Sequence, residues 1–131
     1  EYFYKMVKSQ HGDLGMVKDT SLLPTAPHRV PLLAPQSGYV SVLDARQVGD
    51  AAVLLGAGRQ VKEERVDPRV GIELVAKVGD QVESGEPLLW IHHADRGLEE
   101  AKHKLLSAFE YSATPCDEPE LIYETVYGSQ R

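Results

Sequence analysis

Within ten residues the chain carries two compact turn signals, Val78-Gly79-Asp80-Gln81-Val82 and Ser84-Gly85-Glu86-Pro87, set between two β-like runs. The run before them, residues 71–76, alternates apolar and polar side chains. The run after them, residues 87–94, is rich in Leu88, Leu89, Trp90 and Ile91. Glycine reaches left-handed backbone conformations at no steric cost, so the chain folds back twice here. That geometry demands short strands and excludes a long sheet or a plain helical bundle.

The same pattern occurs upstream. Val30-Pro31-Leu32-Leu33-Ala34 and Gly38-Tyr39-Val40-Ser41-Val42-Leu43 read as strands split by a Pro35-Gln36-Ser37-Gly38 turn. Asp44 is placed to cap a helix over residues 45–54, with Ala45, Val48, Ala52 and Leu55 facing inward and Gly56 as its left-handed stop. Gly97 opens a second amphipathic helix over residues 98–112, lined on one side by Leu98, Ala101, Leu105, Ala108 and Phe109. Glu99 with His103 and Glu100 with Lys104 sit four apart on its outer face, each pair worth about 0.3 kcal/mol. Residues 121–127 read as a last strand. At the other end, Phe3, Met6, Val7 and Gln10 form the stripe of a helix over residues 2–10, ended by His11-Gly12. Residues 13–31 read as loop because Pro24, Pro27 and Pro31 interrupt them. Such a helix, followed by a long strap, has little to pack on, so its partner surface is expected upstream of Glu1. No 20–50-residue period repeats, which excludes a solenoid. The class is α+β, small twisted strands with inserted and flanking helices.

Composition narrows the function. A chain of 131 residues suits one domain. Its 14 basic and 20 acidic groups give −6, with the excess acid mainly in residues 97–131, and a pI near 5.3 argues against a nucleic-acid binder. The lone Cys116 permits no internal disulfide and fits a reducing, cytoplasmic setting. The longest apolar stretch, residues 51–55, is far short of the roughly 20 residues of a membrane span. The start, Glu1-Tyr2-Phe3-Tyr4, has neither initiator Met nor signal peptide and reads as a processed or cut end.

The candidate chemistry is sparse. Gly56-Ala57-Gly58-Arg59 resembles the opening of a phosphate loop, but it follows a helix rather than a strand and lacks a third Gly, so it reads as a helix stop. His92 and His93 are neighbours on a strand and therefore point to opposite faces, which prevents a shared metal. One ring is expected to pack inside and the other to meet water, with His103 solvated on its helix. Cys116 stands beside Asp117 and Glu118, whose charge disfavours a reactive thiolate, and no serine has a nucleophile-elbow setting. No catalytic constellation, metal site or cofactor site emerges.

Two resemblances go further. Residues 76–88 resemble the second half of a biotinyl or lipoyl carrier, where V-G-D-x-V-x-x-G-x-x-L closes a small flattened barrel; here Gly79 and Gly85 would take its corners while Val78, Val82 and Leu88 point inward. The Met-flanked lysine that a carrier modifies is missing, since Met6 and Met16 lie far away. A fuller pattern comprises Gln10-His11-Gly12-Asp13, with His11 in place of a Gly, then Ala34-Pro35-Gln36-Ser37-Gly38-Tyr39-Val40, Leu55-Gly56-Ala57-Gly58-Arg59 and Asp67-Pro68-Arg69-Val70-Gly71-Ile72. It closes with the Val78-Gly79-Asp80 block, residues 92–101 and Leu121-Ile122-Tyr123-Glu124-Thr125. In this order the blocks resemble the C-terminal region of the thymidine and pyrimidine-nucleoside phosphorylases.

The resemblance implies an α/β-hammerhead or barrel-sandwich-like small barrel, with helix 45–54 inserted and helix 98–112 packed across the strands. Residues 1–29 would be a helix and strap left from an upstream α/β domain, and residues 30–131 the C-terminal domain. Members of the family are cytoplasmic homodimers that reversibly transfer a (deoxy)ribosyl group from a pyrimidine nucleoside to phosphate. Their base-binding residues and phosphate loop lie upstream of the matched region, so no catalytic, substrate-binding, cofactor or metal residue carries over, and the chain alone is expected to be inactive. Upstream helical and α/β domains are its implied partners, with no nucleic acid or membrane. Loop 57–68, through Gly58, Arg59 and Glu63, is expected to assist domain closure. A carrier or a stand-alone binding module remains the alternative.

Overall fold

The computed structural model describes residues 1–59 and 61–127. In chain order the elements are α1 (Tyr2–Ser9), α2 (Leu14–Lys18), a 3-10 turn (Thr20–Leu22), β1 (His28–Leu33), β2 (Gly38–Leu43) and α3 (Ala45–Leu55). They continue with β3 (Gly71–Leu74), β4 (Gln81–Val82), β5 (Pro87–His93), α4 (Leu98–Ser107) and β6 (Phe109–Ser112). The class is mixed α+β. The strands form two three-stranded antiparallel sheets, ordered β1-β5-β3 and β4-β2-β6.

The twin turns at residues 78–87 join those sheets. Gly79 and Gly85 take positive φ, +97° and +89°, a region that favours glycine. Around them, backbone amides tie the turns to the corner between β1 and β2. Gly79 donates to the Val40 carbonyl and Val40 to that of Asp80, both at 2.9 Å. Ala34 donates to Glu86 at 2.8 Å and Gly85 to Ala34 at 2.9 Å. The turn at residues 35–38 is therefore a corner at which the chain changes sheets. Pro31 sits within β1, an edge strand, the place in a sheet where proline is tolerated.

The core lies between the sheets and the α3–α4 pair. Val40, Leu55, Leu88, Leu89, Ile91 and Leu105 are its largest fully buried side chains, each contributing roughly 2 kcal/mol by leaving water. Val82 is buried and Val78 packs partly against the same cluster. Asp44 caps α3 as its sequence suggests, accepting from the amides of Arg46 at 2.9 Å and Gln47 at 3.2 Å. Gly56 ends the helix with φ +103°. The buried stripe of α3 differs from expectation. Ala51 and Leu55 are buried and Val48 packs beside them, while Ala45 is exposed in the first turn. The stripe follows the side that meets α4.

Three further expectations fail. The helix expected over residues 98–112 ends at Ser107, and Phe109–Ser112 becomes β6 on β2, pairing Phe109 with Leu43 and Tyr111 with Val40. Phe109 and Ala108 still enter the core, but through a strand and a turn; long-range pairing outweighs helical periodicity. Residues 121–127 form no strand, because none of the described sheet edges pairs with them. Residues 13–31 are not all loop. Asp13 and Asp19 each accept a main-chain amide two residues on, which nucleates α2 and the 3-10 turn, and β1 begins at His28. The anticipated Glu99–His103 and Glu100–Lys104 pairs are replaced by Glu99–Lys102 at 3.0 Å and Asp50–Lys104 at 3.4 Å. Residues 128–131, the end of the expected C-terminal unit, lie outside the described residues.

Candidate functional site

The charged loop after α3 has a defined base. Ala57 donates to the Ala52 carbonyl at 3.0 Å, continuing the helix stop, and Asp67 donates to the Gly56 carbonyl at 2.9 Å, bringing the far end back to that stop. A Cβ on Gly58 would stand 2.6 Å from a Val53 methyl, so glycine here spares Val53 a shift. Asp67 accepts from the backbone and guanidinium of Arg69 at 2.8 to 3.0 Å, and these bonds hold its carboxyl down to about 2. Arg96, in the turn between β5 and α4, donates to Glu64 at 3.1 Å across 32 residues of sequence. Of the three loop residues singled out in the sequence, Gly58 is half-buried at the base, whereas Arg59 and Glu63 are exposed. No ion pair joins Arg59 to Glu63 among the described residues.

The histidines divide as alternation requires. His92 lies on the outer face, its Nε2 3.1 Å from Glu73, which also accepts from Arg29 at 3.1 Å. These two bonds, His92 first, hold the Glu73 carboxyl below its ordinary value. The Arg29 guanidinium stacks over Trp90 at 3.9 Å. His93 is buried, and the Asp95 amide donates to its Nδ1 at 3.2 Å. His28 stacks beside it, ring centroids 5.2 Å apart. His103 is exposed as expected. Cys116 is half-buried and its thiol donates to the Thr114 carbonyl at 3.5 Å.

Two open clefts mark the surface. One, of about 560 Å³, runs between α3 and α4 past Gln47, Leu54, Glu100, His103 and Lys104. The other, of about 430 Å³, lies where Glu118, Pro119 and Leu121 pass Lys77, Val78 and Asp80. Among the described residues no trio of His, Cys, Asp or Glu is arranged to hold a metal ion, and no helix is long and apolar enough to cross a membrane. Sequence reading missed Arg96 and the Asp67–Arg69 clamp. The Asp67-Pro68 turn signal hinted at the clamp, but a pairing across 32 residues leaves no local trace.

The fold and its loop define an α+β domain in which a capped helix and a pinned charged loop are inserted between strands of two small sheets. Its residues 39–112 match the family described as the pyrimidine nucleoside phosphorylase C-terminal domain, and the chain belongs to that family. It is 42% identical over 124 residues to a pyrimidine-nucleoside phosphorylase of Geobacillus stearothermophilus, a match covering 95% of this chain and 29% of the relative. Enzymes of the same name from Staphylococcus haemolyticus and Bacillus subtilis are 40% and 39% identical over 126 residues. The chain thus spans about 29% of the length of these relatives.

Proposed function

We propose that this chain serves as the C-terminal structural domain of a pyrimidine-nucleoside phosphorylase. The observation that carries the reading is the match of nearly the whole chain to 29% of enzymes bearing that name. In the parent reaction the bond between C1′ of the sugar and the pyrimidine nitrogen breaks, a phosphate oxygen bonds to C1′, and the base leaves with a proton. Uridine or thymidine gives base plus ribose or deoxyribose 1-phosphate. The groups for that chemistry belong to upstream helical and α/β domains. The parent works as a cytoplasmic homodimer.

In this reading residues 1–29 dock on the upstream α/β domain, and residues 30–131 form the C-terminal unit. That division is supported by α1, α2 and the 3-10 turn, which contain no buried residue. The C-terminal unit is of the hammerhead or barrel-sandwich type with α3 as the inserted helix. Two three-stranded sheets stitched by the 78–87 turns support this. Gly58, Arg59 and Glu63 of the charged loop take part in closing the domains over substrate, a role supported by a fixed loop base beneath two exposed charges. In the full-length enzyme Arg59→Ala should lower kcat/KM about tenfold. Unchanged kcat and KM would remove the closure role. The wider reading is tested by incubating the purified chain with uridine or thymidine and phosphate. It should release no base, and measurable turnover would overturn the claim that the reacting groups lie elsewhere.

A further inference from the structure

We propose that Arg96 is the positioning residue of the charged loop, holding its second half, through Glu64, against the end of α3. The inference rests on the closure reading above. Arg96 stands in the tight turn between β5 and α4, and its guanidinium donates to Glu64 at 3.1 Å. The same side chain lies over the end of α3, with its Cδ and Nη1 3.7 Å from where a Cβ on Gly56 would stand. Asp67 reaches that same glycine from the other direction, through its amide on the Gly56 carbonyl at 2.9 Å. Glu64 and Asp67 are thereby gathered onto one point.

Arg96 itself cannot drift. The next residue, Gly97, takes φ +59° and abuts the Leu54 carbonyl so closely that a Cβ there would overlap it. The turn is therefore packed closely against α3, and the Arg96 side chain spans from it to the loop. An arginine suits the task because its planar fork can lie along Gly56 and still reach a carboxylate. The ion pair is partly exposed, with side-chain exposures of 45% for Arg96 and 26% for Glu64, so it tunes the loop rather than the whole fold.

The test is residue-resolved amide exchange on the 131-residue chain, read at Asp67 and, as a control on the fold, at Ile91 and Leu105. Arg96→Ala should speed exchange at Asp67 about fivefold and leave the two core amides unchanged. Arg96→Lys should recover part of the protection. The charge-reversed pair Arg96→Glu with Glu64→Arg should recover more than either single change, which a purely packing role would not produce. Exchange at Asp67 within twofold of the parent in Arg96→Ala, or no rescue by the reversed pair, would overturn the proposal. The closure reading is judged separately, by kinetics of the full-length enzyme. Arg96→Ala should raise KM for phosphate about threefold with kcat retained. Faster exchange with an unchanged KM would leave Arg96 as the loop's anchor and remove closure as the purpose of that anchoring.

Discussion

The body of the domain, residues 28–112, and its two flanks carry equally suggestive apolar patterns, and only the body buries them. Among the described residues, every buried one lies between Leu32 and Phe109. The flanks are as well patterned: α1 sets Phe3, Met6 and Val7 on one side, and residues 121–127 are rich in β-branched and aromatic side chains. Yet Tyr2 is 87% and Leu121 96% exposed. Periodicity states which face would gain from burial, and a partner decides whether it is buried. Under the proposed reading a neighbouring domain covers the flanks, whereas the body closes on itself.

The sharpest way to break this contrast is to remove core volume. Leu105→Ala should cost about 3 kcal/mol in urea denaturation, since Leu105 on α4 is fully buried in the core. A loss below 1 kcal/mol would mean the body is not the cooperative unit. Asp44→Ala should cost about 1 kcal/mol by unsatisfying the first-turn amides of α3. Acid should act next, also on the body. The carboxyls of Asp67, Asp44 and Glu73 all ionise below their ordinary values, Asp67 near 2. Groups depressed in the folded state stabilise it above their unfolded pKa, near 4, and that contribution is lost as pH falls from about 4 toward 2. Asp67→Asn should therefore flatten the fall in thermal midpoint over that window, and an unchanged slope would contradict the Arg69 clamp. The smallest effect belongs to the flanks. Replacing Leu121 and Tyr123 by Ser should shift the stability of the chain by less than about 0.5 kcal/mol. A larger loss would mean the C-terminal segment already packs on the body.

Much of the body was legible because its signals are local. The Asp44 cap, the Gly56 stop and the Gly79 and Gly85 corners each depend on a single residue's backbone or hydrogen-bonding chemistry, and each stands where the sequence puts it. The opposed faces of His92 and His93 follow from strand alternation alone. What stayed hidden was tertiary. Phe109 fits both a helical stripe and a strand, and β2 decides between them. Ala45 was misplaced because the packing side of α3 depends on where α4 lies. Arg96 and Glu64 meet only once the α3 stop and the β5–α4 turn are brought together. The loop charges Arg59 and Glu63 could be named from sequence, but their anchor could not.

The most direct test of the account compares amide exchange at α1 and at residues 121–127 in two settings, the 131-residue chain and the full-length enzyme that carries it. A domain that works by docking should leave both segments fast-exchanging in the chain alone and at least about tenfold slower in the full-length protein. Equal exchange in both settings would contradict the claim that the flanks are docking surfaces and the body a self-sufficient core.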